Sequence, residues 1–185
     1  MNKNTKKLKD KLKRGEISFG SWITVGDPIV AEIMAGSGFE WLTVDMEHSA
    51  ITLKEAQDLI RTIELSGCVP LVRVSEKNPN LIKRVMDAGA HGVIVPMVNN
   101  KEDATLAVKS VRYPPDGYRG VGLARAQEYG FGFDSYKEKL KNNSIVIVQI
   151  EHIDAVDNIE EILNVEGVDG IIVGHAHLDH SGGIP

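Results

Sequence analysis

Ile145–Ile150 reads IVIVQI and Gly170–Gly174 reads GIIVG, and the reading of these two runs decides the fold. Neither shows the polar and apolar alternation of a strand with one wet face. Near-continuous apolar runs of this length belong to strands covered on both sides, which is the habit of parallel sheets. Working outward, similar runs rich in β-branched residues occur at Ile17–Thr24, Trp41–Asp45, Val69–Val74 and Gly92–Pro96, and the two quoted runs extend to Ser144–Ile150 and Val168–Val173. Between them lie amphipathic stretches at Pro28–Ser37, Leu53–Leu65, Asn80–Ala88, Lys101–Val111 and Ala155–Leu163. Strands alternating with helical patterns imply βαβ units and a parallel sheet.

The punctuation agrees. Pro28 after Asp27 is a first-turn proline behind an N-cap, and Thr52 with Glu55 has capping-box spacing. Gly38, Gly67 and Gly89 fall just past helix ends, where a left-handed residue is wanted. The segment from Tyr113 to about Phe133, YPPDGYRGVGLARAQEYGFGF, is too long and glycine-rich for a simple connector, and such loops are usually functional.

Two architectures fit, a doubly wound open sheet and a (β/α)8 barrel. Ionisable and polar residues follow several different strands: Asp45, Glu47 and His48 after the second, Arg73 at the third, Gln149 and Glu151 at the fifth, and His175 to His180 after the sixth. A site assembled from many strand ends is characteristic of the barrel, whereas a doubly wound sheet binds at one switch point. The GVG at Gly120–Gly122 lacks the third glycine, preceding strand and following acid of a dinucleotide site. The expected fold is therefore a (β/α)8 TIM barrel. Such a barrel takes about 250 residues, and only six strands are found in 185, so the expectation is a single barrel domain that stops after its sixth strand.

Composition narrows the function classes. The chain is 42% hydrophobic and 25% charged, with a net charge of −5 and one cysteine, Cys68, which excludes an internal disulfide and favours a reducing compartment. The first 14 residues hold seven basic side chains and one acidic, leaving 14 basic against 25 acidic in the remainder. An acidic body argues against nucleic-acid binding. Leu8 and Leu12 in the basic head have i, i+4 spacing, the mark of an amphipathic helix lying over one end of the domain. No run reaches the roughly 18 apolar residues that span a bilayer, and no apolar stretch follows the leading lysines. A cytoplasmic protein without membrane partners is expected.

The chemistry-bearing residues can be read one by one. His48, beside Asp45 and Glu47, is either a general base or a solvated loop histidine. Arg73 lies in the apolar PLVRVS and must meet an anion there, either a protein carboxylate or the carboxylate or carbonyl of a substrate. Gln149 and Glu151 share a strand face, and a carboxylate at a barrel strand's carboxyl end is a candidate ligand for a hard divalent cation. Asp87 ends a helix and means little alone; His91 and His152 read as structural.

Together, GSWITVGDPIVAEIMAGSGFEWLTVDMEHS, PLVRVSEKNP, MDAGAHGVIVPMVNN, RYPPDGYRGVGLARA and VQIEH followed by VEGVDGIIVG resemble the HpcH/HpaI family of metal-dependent aldolases, within the phosphoenolpyruvate/pyruvate barrel superfamily. The resemblance implies His48 as the base with Asp87 raising its basicity, Arg73 at an enolate oxygen, Gln149 and Ala176 in substrate binding, and Glu151 on the metal. It implies that the Arg112–Gly122 loop shapes the substrate site. The implied partners are pyruvate, a 2-oxo acid, and an aldehyde; the implied metal is Mg2+, Mn2+ or Co2+; the implied assembly is a homo-oligomer, a hexamer.

The sixth strand departs from this pattern. Where the family continues GPxDLS, the chain reads GHAHLDHSGG, so His177 stands in the place of the second metal ligand, where it would also border the substrate, and a mixed site with Glu151 would favour Zn2+. The same segment resembles the HxHxDH signature of metallo-β-lactamase-type hydrolases, which would assign metal ligation to His175, His177, Asp179 and His180. Three readings follow: an aldolase, an inactive metal-binding variant, and a zinc hydrolase.

Overall fold

Every apolar run read as a strand is a strand, in a computed structural model that describes residues 3–174. They are β1 Gly20–Ile23, β2 Trp41–Asp45, β3 Val69–Arg73, β4 Gly92–Val95, β5 Ile145–Ile150 and β6 Gly170–Val173. All neighbours pair in parallel, and the spatial order is β1-β2-β3-β4-β5-β6. That unbroken order settles the choice between architectures, because a doubly wound sheet reverses its order at the switch point and a barrel does not. The result is six consecutive strands of a (β/α)8 barrel.

Helices cross between the strands: α1 Lys3–Lys13, α2 Pro28–Gly36, α3 Leu53–Leu65, α4 Pro79–Asp87, α5 Lys101–Val111, α6 Phe133–Asn143, α7 Ile153–Asp157 and α8 Ile159–Leu163. Their starts are capped as the sequence requires. Asp27 accepts from the Ile29 amide at 2.8 Å ahead of Pro28. Thr52 and Glu55 form the reciprocal capping box, and Asn78 and Asn100 cap α4 and α5. Each such cap contributes about 1 kcal/mol.

Side-chain alternation along the strands makes two cores. Leu42, Val44, Val72, Val93, Val95, Val146, Val148 and Ile150 face the helices and join the larger cluster with Leu59, Ile60, Ile63, Ile82, Val85 and Met86. The residues between them face the other way. Val69, Leu71 and Ile145, with Trp41 and Ile147, form a separate cluster closed by Leu8 of α1. By the period of two, Asp45, Arg73 and Gln149 lie on this same inner face at its carboxyl end. Gly20 of β1 is required here, since a Cβ on it would stand 1.9 Å from the Trp41 ring.

The basic head is an amphipathic helix over the amino end of the barrel, as its leucines predict. Leu8 is buried while Leu12 is 41% exposed. Lys9 Nζ donates to the Ser144 carbonyl at 2.6 Å and pairs with Asp169 at 2.9 Å. Thr5 Oγ1 meets His91 Nδ1 at 2.6 Å, and His91 Nε2 meets Glu64 at 2.8 Å. His91 is therefore structural, as its place before β4 suggests.

Three features differ from the sequence reading. α6 is absent from it, because FDSYKEKLKNN is mostly polar and buries only Tyr136 and Leu140. The stretch Ala155–Leu163 is two short helices divided at Asn158, whose side chain donates to the Asn99 carbonyl at 3.0 Å. The first strand is shorter than Ile17–Thr24, and Ile17 and Phe19 are exposed. No helix among the described residues is long and apolar enough to cross a membrane.

Leu8→Ala is expected to lower stability by about 2–4 kcal/mol in urea unfolding, the usual cost of truncating a buried leucine, whereas Leu12→Ala costs less than about 0.5 kcal/mol. Burial pushes the His91 imidazole below its ordinary range, against the pull of Glu64. The unfolded chain then takes up the proton first, so stability is full above ~6.5 and falls as pH drops below it. Melting temperature measured from pH 7.5 to 5 checks this, and His91→Gln should flatten the slope.

Candidate active site

At the carboxyl end of β2 and β3 the register places Asp45 opposite Arg73. Arg73 Nε and Nη2 donate to Asp45 Oδ1 and Oδ2 at 2.9 and 2.6 Å, the forked geometry for which a guanidinium is suited. The anion that an arginine inside an apolar strand demands is thus a protein carboxylate. Trp22 of β1 covers the guanidinium, with its ring centroid 4.5 Å from Cζ, adding a cation–π contact. Glu47 Oε2 is a second acidic neighbour, 3.3 Å from Arg73 Nε.

Asp45 also shapes the loop that follows it. Its Oδ1 accepts from the backbone amides of Glu47 and His48 at 3.0 and 3.2 Å. Burial would raise its carboxyl, but Arg73 and these two amides outweigh burial and hold it below the usual range. The turn carries His48 outward: its side chain is 68% exposed, and Glu47 at 3.8 Å is the acid beside it. The ring is therefore open to a reactant or a water from above the barrel.

The fifth strand completes the site. Gln149 Nε2 donates to Glu151 Oε1 at 2.6 Å, and Gln149 Oε1 faces Arg73 Nη1 at 3.5 Å. Glu151 Oε2 accepts from the Met97 amide at 3.1 Å. Gly174, just past β6, lies so close to Glu151 that a Cβ would be 2.9 Å from its Cγ. A hydrogen-bonded chain thus runs from Asp45 through Arg73, Gln149 and Glu151 to the loop after β4. Beside it opens a cavity of about 470 Å³ bordered by Glu47, Ser75, Lys77, Pro96 and Met97.

The balance of charge here is negative: Asp45, Glu47 and Glu151 face one guanidinium. Glu47 registers this directly. Burial first, and then the nearby Glu151, raise its carboxyl above the ordinary range despite Arg73. Its Oε2 is buried without a hydrogen-bond donor. An oxygen-rich, net-negative corner with a buried carboxylate oxygen that accepts no hydrogen bond fits a hard divalent cation. Among the described residues no three His, Cys, Asp or Glu side chains are grouped to hold an ion by themselves. Glu151 would therefore share it with substrate, water or residues past 174.

The structure brings together His48, Arg73, Gln149 and Glu151, and does not bring Asp87 to them. Because α4 runs back against the strands, its last residue lies at the amino end of the barrel. There Asp87 pairs with Arg119 at 2.6 Å and meets Gln127 at 3.3 Å. The Arg112–Gly122 loop follows α5 to that same end, so within one chain neither flanks the site. Ala176, His177, His175, Asp179 and His180 lie outside the described residues. Trp22 and the Met97 amide belong to the site and escape the sequence reading. A tryptophan in a strand reads as core, and a backbone donor leaves no trace in residue type.

Arg73→Met should cost about 2–4 kcal/mol in thermal or urea unfolding, because it leaves Asp45 buried without its counter-charge, while Asp45 retains its two amide donors.

The comparisons with known proteins agree with this geometry. The profile of the HpcH/HpaI aldolase/citrate lyase family matches residues 18–184. The chain is 37% identical over 183 residues to 2-keto-3-deoxy-L-rhamnonate aldolase of Escherichia coli O17:K52:H18 (strain UMN026 / ExPEC), covering 98% of this chain and 68% of that protein. Among solved structures, an HpcH/HpaI aldolase/citrate lyase family protein from Burkholderia cenocepacia J2315 superposes with a TM-score of 0.87 at 35% identity, covering 94% of this chain and 70% of the other. The citrate synthase SbnG superposes with a TM-score of 0.80 at 34% identity, covering 91% and 65%. The hydrolase reading of the 175–180 segment finds no support, since the family match runs across it to residue 184. From strand order, inner-face residues and these relatives alike, the chain belongs to the HpcH/HpaI aldolase/citrate lyase family.

Proposed function

We propose that the chain catalyses reversible aldol cleavage of 4-hydroxy-2-oxo acids through a pyruvate enolate, with a divalent metal bound at Glu151. The observation that carries this reading is the net-negative corner of Glu47 and Glu151 beside a guanidinium, with one Glu47 oxygen buried and accepting no hydrogen bond, though it lies 3.3 Å from Arg73 Nε. A divalent cation bound there supplies charge stabilisation for a developing enolate oxygen.

The chain's own groups do the rest. Arg73, held by Asp45 through Nε and Nη2, directs Nη1 toward Gln149, where it donates to the carbonyl oxygen of the oxo acid as negative charge grows on it. The Gln149 amide bridges Arg73 and Glu151 and orients the substrate's carboxylate end. His48, open to the carboxyl face, takes the hydroxyl proton of the 4-hydroxy-2-oxo acid as the C3–C4 bond breaks and delivers it, directly or through a water, to C3 of the enolate to give pyruvate; condensation runs the same two transfers in reverse, beginning at the pyruvate methyl group. The cavity beside the site, whose border includes Ser75 and Glu76, accommodates the hydroxylated aldehyde half. The name of the Escherichia coli relative, which acts on a 2-keto-3-deoxy sugar acid, supports this substrate class. His177 completes the metal site in this proposal, which makes Zn2+ a candidate beside Mg2+, Mn2+ and Co2+.

A role for Asp87 at His48 requires a second copy of the chain, because the two residues are at opposite ends of one barrel. That agrees with the homo-oligomer proposed from the family.

The test is exchange of the pyruvate methyl protons in D2O, followed by NMR with each metal in turn. Metal-dependent exchange is expected, lost on chelation and reduced by about 10²–10⁴ in His48→Ala. Metal binding without exchange would instead support the inactive variant, and exchange that survives in His48→Ala would remove that residue from the mechanism.

A further inference from the structure

Met97 is the only non-glycine residue next to the site with a left-handed backbone, φ 52°, among the described residues. A bulky side chain does not adopt that conformation unless its surroundings impose it. Three contacts do so. The Met97 amide donates to Glu151 Oε2 at 3.1 Å. Its carbonyl accepts from Lys77 Nζ at 2.9 Å. The next amide, of Val98, donates to the Gln149 carbonyl at 3.2 Å.

Lys77 is itself held. It comes from the loop after β3, and its ammonium pairs with Asp103 Oδ2 at 2.5 Å. Asp103 lies in the first turn of α5, where its amide is tied to the Asn100 cap at 2.8 Å and its Oδ2 also accepts from the Asn99 amide at 3.1 Å. One ion pair therefore pins both sides of the Met97 turn, the carbonyl through Lys77 and the following segment through Asn99. Glu151 is left with Oε1 engaged by Gln149 and Oε2 by Met97, its plane and rotation set from two sides.

We propose that Lys77 and Asp103 are positioning residues for Glu151, acting through the Met97 peptide to hold the carboxylate in its metal-binding orientation. The proposal rests on the metal-dependent reading above and goes beyond it, since neither residue is a metal ligand and the Lys77 ammonium is engaged by Asp103 and the Met97 carbonyl. Partners of this kind behind a ligand typically control metal affinity by about tenfold to hundredfold.

The experiment measures Mn2+ dissociation constants by EPR of free Mn2+, with the melting temperature of each metal-free protein recorded alongside. Lys77→Met and Asp103→Asn should each weaken Mn2+ by about tenfold or more while the metal-free melting temperature moves by only a few degrees. The double variant should lose less than the product of the two single losses, because both variants break the same ion pair. Lys77→Arg, which can still donate to the Met97 carbonyl and to Asp103, should restore affinity to within about threefold of the parent. Unchanged affinity in the two single variants, or losses that multiply in the double, would overturn the proposal. If Lys77→Met does not fold, Asp103→Asn decides the same question. A parent protein that binds no Mn2+, Mg2+, Co2+ or Zn2+ would overturn the metal-dependent reading and this proposal with it, which is distinct from a parent that binds Mn2+ and variants that bind equally well.

Discussion

The paired fork of Arg73 on Asp45 is the interaction on which the carboxyl end of this barrel depends. A guanidinium inside an apolar strand is tolerable only if its charge is met. Here it is met by the residue that the parallel register of β2 and β3 sets opposite. Trp22 covers the pair, Asp45 turns its remaining lone pairs on the amides that build the Glu47–His48 loop, and the free Nη1 faces Gln149. The ion pair thus anchors one strand to the next and organises a loop. It also directs the arginine's remaining donor toward a reactant. Because Asp45 is kept ionised by these contacts, the local excess of negative charge falls on Glu47 and Glu151, where a cation can use it.

That division of charge follows from the alternation of the strands. Residues facing the helices are almost all aliphatic and form the larger core. On β3 and β5 the inward aliphatic residues stop partway up, at Leu71 and Ile147, and the next inward positions are Arg73 and Gln149. An apolar floor, sealed from below by Leu8 of α1, supports a polar layer open to the carboxyl face. The floor raises the strength of every electrostatic contact above it by excluding water from one side. The amino end carries a separate polar system, with Asp87, Arg119 and Gln127 in one group and Glu64, His91 and Arg125 in another. These tie the long loop and α1 to the barrel base.

Much of this was legible in the chain. The apolar runs located all six strands, and Trp41–Asp45, Leu53–Leu65 and Lys101–Val111 coincide with their elements to the residue. Arg73 demanded an anion, and Gln149 with Glu151 had to share a face. α6 was not legible, because a helix whose buried stripe is Tyr136 and Leu140 has too little apolar signal among its charges. The place of Asp87 was not legible for another reason. Family resemblance ties it to His48 without saying in which subunit, and only the reversed direction of α4 shows that one chain cannot join them.

The sequence by itself determined the alternation of strand and helix and the residues that carry charge at strand ends. Those are properties of local period and residue type. The tertiary structure alone decided that the strands follow one another without reversal and that the partner of Arg73 is Asp45. It alone put the Met97 backbone on Glu151, with Lys77 and Asp103 behind it. These depend on register between strands and on backbone direction in loops, which join residues from 20 to 54 positions apart. No local pattern in the chain encodes a contact across that separation.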